Sequence, residues 1–246
     1  MRFVARSTCA ALAAMALAAC SGKEDAPAPA SAAPSSAPAG EVVEETAPPP
    51  AETVVPSPPP TRADDFAWPA ATDFARLSTS KGDIIVELYG AQAPKTVANF
   101  LQYAADGHYD RTIIHRVVPG FVVQGGGYGV AYNERPTRAP VPYEGDNGLP
   151  NYRTTLAMAR MRDPNSAGAQ WYVNLADNNE ALDHFVNDLG IRYGYTVFGR
   201  VIDGMDVADA IGAVPTGPAG PFEAEVPREA VIVTRVERLS ERPAAD

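Results

Sequence analysis

The chain has 246 residues, 30 of them acidic and 20 basic, for a formal net charge of −10. An acidic surface offers no electrostatic footprint for a phosphate backbone, which excludes nucleic-acid binding. Both cysteines, Cys9 and Cys20, fall in the first 20 residues. The rest of the chain can therefore form neither a disulfide nor a thiolate zinc site, and must be stabilised by packing.

Residues 1–19 read as a signal peptide: Arg2 and Arg6, then a short alanine- and leucine-rich run, then small residues. The apolar run falls short of the ~20 residues of a good transmembrane span. Leu17-Ala18-Ala19-Cys20 resembles a bacterial lipobox, which implies cleavage before Cys20, lipidation of Cys20 and attachment to a membrane. Ser21 in place of aspartate implies sorting to the outer rather than the inner membrane, with the protein in the periplasm. Residues 20–65 are rich in proline, alanine and serine, with Lys23 and Arg62 against eight carboxylates and no apolar periodicity. Such a stretch cannot bury a core and reads as a disordered tether.

Residues 66–240 suit one domain, followed by a short tail, 241–246. Arg76–Ser80 and Ile84–Tyr89 flank Lys81-Gly82-Asp83, a hairpin signal. Pro94 opens a helix through about Ala105, with Val97, Phe100, Leu101 and Ala104 at helical spacing and Gly107 just beyond. Ile113–Val118 and Phe121–Gln124 read as β-branched strands joined at Pro119-Gly120. Further strands are expected near Thr155–Ala159, Trp171–Leu175, Thr196–Ile202 and Ala230–Arg238, with a second short helix over Met205–Ile211. Many strands, two helices and no βαβ alternation predict a mainly β domain, closed as an antiparallel barrel.

Within the apolar stretch from Ile113 to Gly127, two polar side chains stand out. Strand alternation puts Arg116 on one face with Ile114 and Val118, and Gln124 on one face with Val122. An arginine at a sheet rim often only snorkels its charge to water. His108, His115 and His184 show no metal-ligand spacing, so no metal is expected. Ser166 lacks a nucleophile-elbow context. Gly125-Gly126-Gly127-Tyr128-Gly129 is followed by neither a Lys-Ser/Thr pair nor a helix pattern, which argues against a phosphate loop.

In order along the chain, the stretch from Ile113 to Gly127, then Glu144-Gly145-Asp146-Asn147-Gly148-Leu149, Leu156-Ala157-Met158-Ala159-Arg160, Ala169-Gln170-Trp171-Tyr172-Val173-Asn174 and Tyr195-Thr196-Val197-Phe198-Gly199, resemble the motifs of cyclophilin-type peptidyl-prolyl cis-trans isomerases, in particular their bacterial secreted branch. The resemblance runs from about Phe74 to Leu239. It implies a closed eight-stranded antiparallel barrel capped by two α-helices, with the ligand site on its outside. It also implies rotation of X–Pro bonds in unfolded or extended polypeptides, assisting folding in the bacterial cell envelope without a cofactor. By correspondence, Arg116, Phe121 and Gln124 would be catalytic, while Val122, Ala159, Arg160, Gln170, Tyr172, Leu182 and Tyr195 would bind substrate.

The chemistry fits those residues. Twisting an X–Pro amide returns a lone pair to the proline nitrogen, and a donor aimed there binds the transition state better than the ground state. Arg116 cannot lose its charge, and Gln124 would aim it. Such an assignment requires Arg116 to face Phe121 and Gln124, and not to be buried against a permanent acidic mate. Several positions depart from the family pattern. Val122 replaces a common methionine, Ala181 stands where eukaryotic members have tryptophan, and Tyr195 stands where they have histidine. Weak cyclosporin binding is implied. A catalytically weak peptide-binding module on the same barrel is the alternative. Nothing in the sequence demands self-association, so a monomer is expected. His184–Gly194 reads as a lengthened loop.

Overall fold

The computed structural model of the chain describes residues 62–243. The signal peptide, Cys20, the tether up to residue 61 and the last three residues of the tail lie outside the described residues. In chain order the elements are α1 (Arg62–Asp65), β1 (Asp73–Thr79), β2 (Gly82–Leu88), α2 (Pro94–Ala105), β3 (Thr112–Ile113), β4 (Arg116–Val118), β5 (Val122–Gly125), β6 (Thr155–Met158), β7 (Trp171–Asn174), α3 (Asn179–Leu182), β8 (Phe185–Asn187), β9 (Gly190–Arg192), β10 (Val197–Asp203), α4 (Met205–Gly212), β11 (Thr216–Ala219), β12 (Phe222–Pro227) and β13 (Ile232–Leu239).

Nine of the strands form one antiparallel sheet in the order β3-β13-β1-β2-β10-β6-β7-β5-β4, while β8–β9 and β11–β12 are separate hairpins. The strand at the two ends of that order is nearly one strand. Thr112 and Ile113 pair with β13, Ile114 N–H donates to Val231 O at 2.9 Å, and from Arg116 onward the pairing passes to β5. The run breaks at Ile114-His115 because its hydrogen bonds change sides there. This break gives nine strands where eight were expected. With only two residues between β3 and β4, the sheet must curl until its ends approach.

Among the described residues there are four α-helices where two were expected. The pair read from periodicity, α2 and α4, carry amphipathic faces: Val97, Phe100, Tyr103 and Ala104 of α2 and Ala208 and Ile211 of α4 are buried. The additional α1 and α3 have four residues each, too short for any 3.6-residue pattern to register. At Gly204, which precedes α4 with φ +79°, a Cβ would lie 2.2 Å from Asp83 O. Only glycine permits that close approach of helix to strand.

The sheet buries a different cluster on each face. Toward α2 and α4 lie Leu77, Val86, Phe100, Val117, Val123, Leu156, Val173, Phe198 and Ile211. Fully burying each such side chain contributes about 1.5–3 kcal/mol. The opposite face gathers Tyr89, Val122, Leu149, Ala157, Tyr172 and Val197, flanked by Phe66, Trp68, Phe121, Ala159, Leu182 and Tyr195. Trp68 stacks on Tyr89 with centroids 5.8 Å apart, and its Nε1–H donates to Ala63 O at 2.7 Å. Residues of α1, which composition assigns to the tether, are thus packed against the domain. Beneath Trp68, the buried Glu87 carboxylate accepts from Tyr89 Oη at 2.8 Å and from Arg200 Nε at 2.6 Å.

Candidate active site

The site is built on the β4–β5 hairpin. Phe121 N–H donates to Val118 O at 3.0 Å and Gly120 has φ +68°, so Pro119-Gly120 makes a turn that needs glycine at its second central position. That turn sets the register Arg116↔Gln124. The pairing continues Gln124↔Tyr172 into β7 and Ala157↔Tyr172 into β6. Alternation then sends Val117, Val123, Val173 and Leu156 into the helix-side core. Arg116, Gln124, Tyr172 and Ala157 form one row on the other face.

Nine of the ten site residues read from the sequence line one cavity of about 120 Å³: Arg116, Phe121, Val122, Gln124, Ala159, Arg160, Tyr172, Leu182 and Tyr195. The tenth, Gln170, stands behind Gln124, whose Nε2 donates to Gln170 Oε1 at 3.0 Å. Gln170 lines the adjoining cavity of about 180 Å³, which also has Ala159 and Arg160 in its wall. A volume of 120 Å³ is well below the roughly 300–1,000 Å³ of pockets for drug-sized ligands. It suits one small ring. A wider cleft of about 890 Å³ runs along α2 and β13 and shares no residue with this cavity. Among the described residues, no group of three or more His, Cys, Asp or Glu side chains is placed to hold a metal ion.

Behind the notch lies a buried amide network that the sequence analysis missed. Tyr172 Oη donates to Asn151 Oδ1 at 2.8 Å, and Asn174 Nδ2 donates to Thr155 Oγ1 at 2.8 Å. Asn178 Nδ2 donates to Asn174 Oδ1 at 2.7 Å and to Phe121 O at 2.9 Å. Leu175 N–H also donates to Phe121 O, at 2.8 Å, so the backbone carrying the Phe121 ring is held twice. Tyr195 N–H donates to Leu182 O at 2.9 Å, which joins those two walls. The Arg160 guanidinium lies 4.7 Å over the Tyr195 ring. No local sequence signal marks this network, because Asn151, Asn174 and Asn178 meet only through tertiary structure.

Arg116 has an acidic partner. Its Nε–H donates to Glu225 Oε2 at 2.7 Å, and its Nη1 makes a long, 3.5 Å contact with Gln124 Oε1. Glu225 belongs to β12, on a hairpin that the sequence analysis left unassigned. The alternation of Phe222, Ala224 and Val226 with Glu223 and Glu225 was the available signal, obscured by Pro218 and Pro221. The two side chains remain 37 % and 44 % exposed, so this is not the buried, permanent pairing that would disable the arginine. Exposed pairs are worth about 0–1 kcal/mol, enough to bias the guanidinium's orientation. Glu225 itself has φ +67°, a backbone state that non-glycine residues rarely occupy and that recurs at functional sites.

His115 packs between Tyr128 and Phe222, with centroids 4.9 and 5.5 Å away. Burial pulls its pKa down to about 4, so the imidazole is neutral near pH 7 and adds no charge beside Arg116.

This geometry can now be set against known proteins. The family model described as cyclophilin type peptidyl-prolyl cis-trans isomerase/CLD matches residues 74–238. The chain belongs to the cyclophilin-type isomerases. It is 47% identical over 157 residues to the peptidyl-prolyl cis-trans isomerase cyp18 of Streptomyces antibioticus, covering 64% of this chain and 93% of that one. It is 45% identical over 161 residues to peptidyl-prolyl cis-trans isomerase B of Escherichia coli strain K12, covering 64% and 94%. Among solved structures, the cyclophilin type peptidyl-prolyl cis-trans isomerase of Cryptosporidium parvum, determined in the presence of the dipeptide Ala-Pro, superimposes with a TM-score of 0.54 at 25% identity, over 68% of this chain and 99% of that one.

The His115 environment makes a prediction for stability. Its folded pKa of about 4 lies below the ordinary ~6.5 of an unfolded histidine. The unfolded state therefore binds more protons between those values, and stability falls as pH drops from about 6.5 to about 4. His115 accounts for up to about 3 kcal/mol of that loss. Thermal denaturation across this range should show a shallower decline for His115→Phe, which keeps the ring stack, than for the parent. Parallel declines would contradict the assigned environment.

Proposed function

We propose that this isomerase turns X–Pro bonds in unfolded or extended polypeptides and assists folding in the bacterial cell envelope, held there through a lipidated Cys20. The observation that carries the catalytic reading is the single small cavity in which an apolar floor, Phe121, Val122, Tyr172 and Leu182, meets the Arg116 guanidinium and its Gln124 partner. The dipeptide present with the Cryptosporidium parvum relative supports a proline-containing substrate.

The uncatalysed rotation faces a barrier of ~18–20 kcal/mol, because twisting destroys amide resonance. In this reading the proline ring sits in the notch, while Ala159 and Arg160 bond the substrate backbone from the rim and Gln170 assists. As the amide twists, its nitrogen becomes an acceptor and Arg116 donates to it. Glu225 occupies Nε and Gln124 faces Nη1, so the head group is oriented from two sides before substrate arrives. A charge-assisted hydrogen bond contributes ~1.5–3 kcal/mol, roughly ten- to a hundredfold in rate. The remainder comes from the water-poor notch, where the less polar twisted amide is better tolerated and the donor acts in a lower dielectric. Val122 leaves that notch shallower than a methionine would.

Placement in the envelope rests on the sequence alone. The basic, apolar and small-residue segments before Cys20 would be removed, and the proline-rich stretch would space the domain from an outer-membrane anchor. The domain acts as a monomer in this reading.

Three outcomes are expected. In a proline-limited refolding assay, Arg116→Ala should lose most of the turnover, by about ten- to a hundredfold, while peptide affinity is comparatively intact. Glu225→Ala should lower kcat severalfold with little change in KM, and Glu225→Gln, which still presents an oxygen to Nε, should recover most of it. Unchanged rates for Arg116→Ala would overturn the catalytic assignment. For localisation, fractionation of cells should find the parent in the outer-membrane fraction and Cys20→Ser in the soluble periplasm. Equal distributions would remove the anchor.

A further inference from the structure

Exposed apolar side chains on this protein are not scattered. Among the described residues, the large exposed ones are Val130, Met161, Phe185, Val186, Leu189, Ile191 and Tyr193. Five of the seven lie in the β8–β9 hairpin and its trailing residue, with Leu189 at the tip 96 % exposed. Single exposed hydrophobes are ordinary, but a contiguous patch marks an interaction surface. The register pairs Val186 directly with Ile191, so these two share one face of the hairpin, next to Leu189 at its turn.

The patch is continuous with the proline notch. Arg160 Nε donates to Gly194 O at 2.9 Å and its Nη1 to Met161 O at 2.9 Å, while its Nη2 donates to Tyr193 O. One guanidinium thus ties exposed Met161 to the end of the hairpin while stacking on Tyr195, a wall of the notch. The chain enters the hairpin just after Leu182 and leaves it just before Tyr195, and both residues line the cavity. Tyr143 Oη accepts from Gly194 N–H at 3.1 Å, which fixes the base further. The hairpin is therefore anchored at its foot, with every residue of both its strands exposed.

We propose that the β8–β9 hairpin is a second binding element for unfolded polypeptide, receiving apolar side chains that flank the proline held in the notch. The proposal rests on the isomerase reading above and names the substrate class of that site: X–Pro segments in apolar stretches of unfolded chains, in preference to short or polar peptides. A strand of three residues at ~3.3 Å each spans about 10 Å, so the hairpin covers about three residues of an extended substrate on one side of its proline. Continuity with the notch favours a polypeptide as the occupant over a lipid surface. Charge points the same way: residues 66–246 hold 16 basic against 22 acidic side chains, which opposes approach to anionic lipid.

The test compares the full-length chain with its Val186→Ser/Leu189→Ser/Ile191→Ser variant. All three positions are exposed, so the fold is not at stake. On a short peptide with only alanine and glycine around its proline, the two proteins should agree within about twofold. On a refolding protein limited by an X–Pro bond in an apolar segment, the variant's kcat/KM should fall by at least about tenfold, through KM. Equal activity of the two proteins on both substrates would overturn the proposal. Should the parent itself be inert on the short peptide, the isomerase reading fails separately. The hairpin is then read by calorimetry with a permanently unfolded, carboxymethylated protein, where about tenfold weaker binding by the variant supports the surface and equal affinity refutes it. Two further results would also refute it, each with polypeptide affinity unchanged by the substitutions: hairpin-dependent sedimentation with phosphatidylcholine–phosphatidylglycerol vesicles, or hairpin-dependent self-association in the ultracentrifuge.

Discussion

The site depends on one register. Arg116 stands opposite Gln124 because the three-residue loop Pro119-Gly120-Phe121 joins their strands, and the rest of the row follows across β7 and β6. Side chains alternate with a period of two, so a slip by one residue would turn Arg116 into the helix-side core and bring Val117 out. Burying an unpaired guanidinium there costs far more than the turn can store. The apolar pattern of Val117, Val123, Val173 and Leu156 therefore enforces the polar pattern on the reverse face. Core packing and site geometry are two sides of the same strands.

A donor for a transient acceptor has to be oriented without being spent. A fully buried carboxylate partner would pin Arg116 and hold its charge away from a substrate. A free arginine would lose entropy each time it was positioned. Glu225 and Gln124 lie between these extremes: one strong bond at 2.7 Å, one long contact at 3.5 Å, and an ion pair still open to water. His115 supports the arrangement by staying neutral, since a second cation beside the guanidinium would compete for the same carboxylate. The buried amides of Asn151, Asn174 and Asn178 fix the floor, and every bond they make is to a neutral group or to Asp183.

How much of this could be read from the chain differs by element, for physical reasons. The helix from Pro94 to about Ala105 was legible because proline at its start, apolar spacing and Gly107 beyond it agree. The β4–β5 hairpin was legible because its turn chemistry and β-branched strands are local. Arg116 and Gln124 stood out as polar interruptions of an apolar stretch, but their grouping with the other positions around the notch came from motif resemblance, since neither propensity nor periodicity relates Arg116 to Leu182 or Tyr195. Strand count failed where one run changes bonding partner at Ile114-His115, which no side-chain pattern records. Glu225 was invisible because it meets Arg116 from 109 residues away, on a hairpin whose alternation two prolines obscure. The burial of Ala63 could not be read from the sequence, because acidic, proline-rich composition runs up to Asp65.

A notch of about 120 Å³ can recognise a ring but little around it. In catalytic terms that is an advantage, because binding that is equal in ground and transition states lowers KM without raising kcat. On the proposed reading the groups that distinguish the twisted amide from the planar one are few: a cation, the amide that steers it and an apolar floor. Tighter grip on the proline itself would slow release after rotation. Capture of dilute, unfolded chains has to be supplied elsewhere, by surface that touches residues not taking part in the rotation. The rim around Arg160 is where this molecule can place such surface without disturbing the row on the sheet, because the segments at Met161 and from Asp183 to Gly194 lie outside the nine-stranded ladder. On the proposed reading strands set the chemistry and loops set the reach, so substitutions at Leu189 or Ile191 and at Arg116 would act on separable terms of kcat/KM.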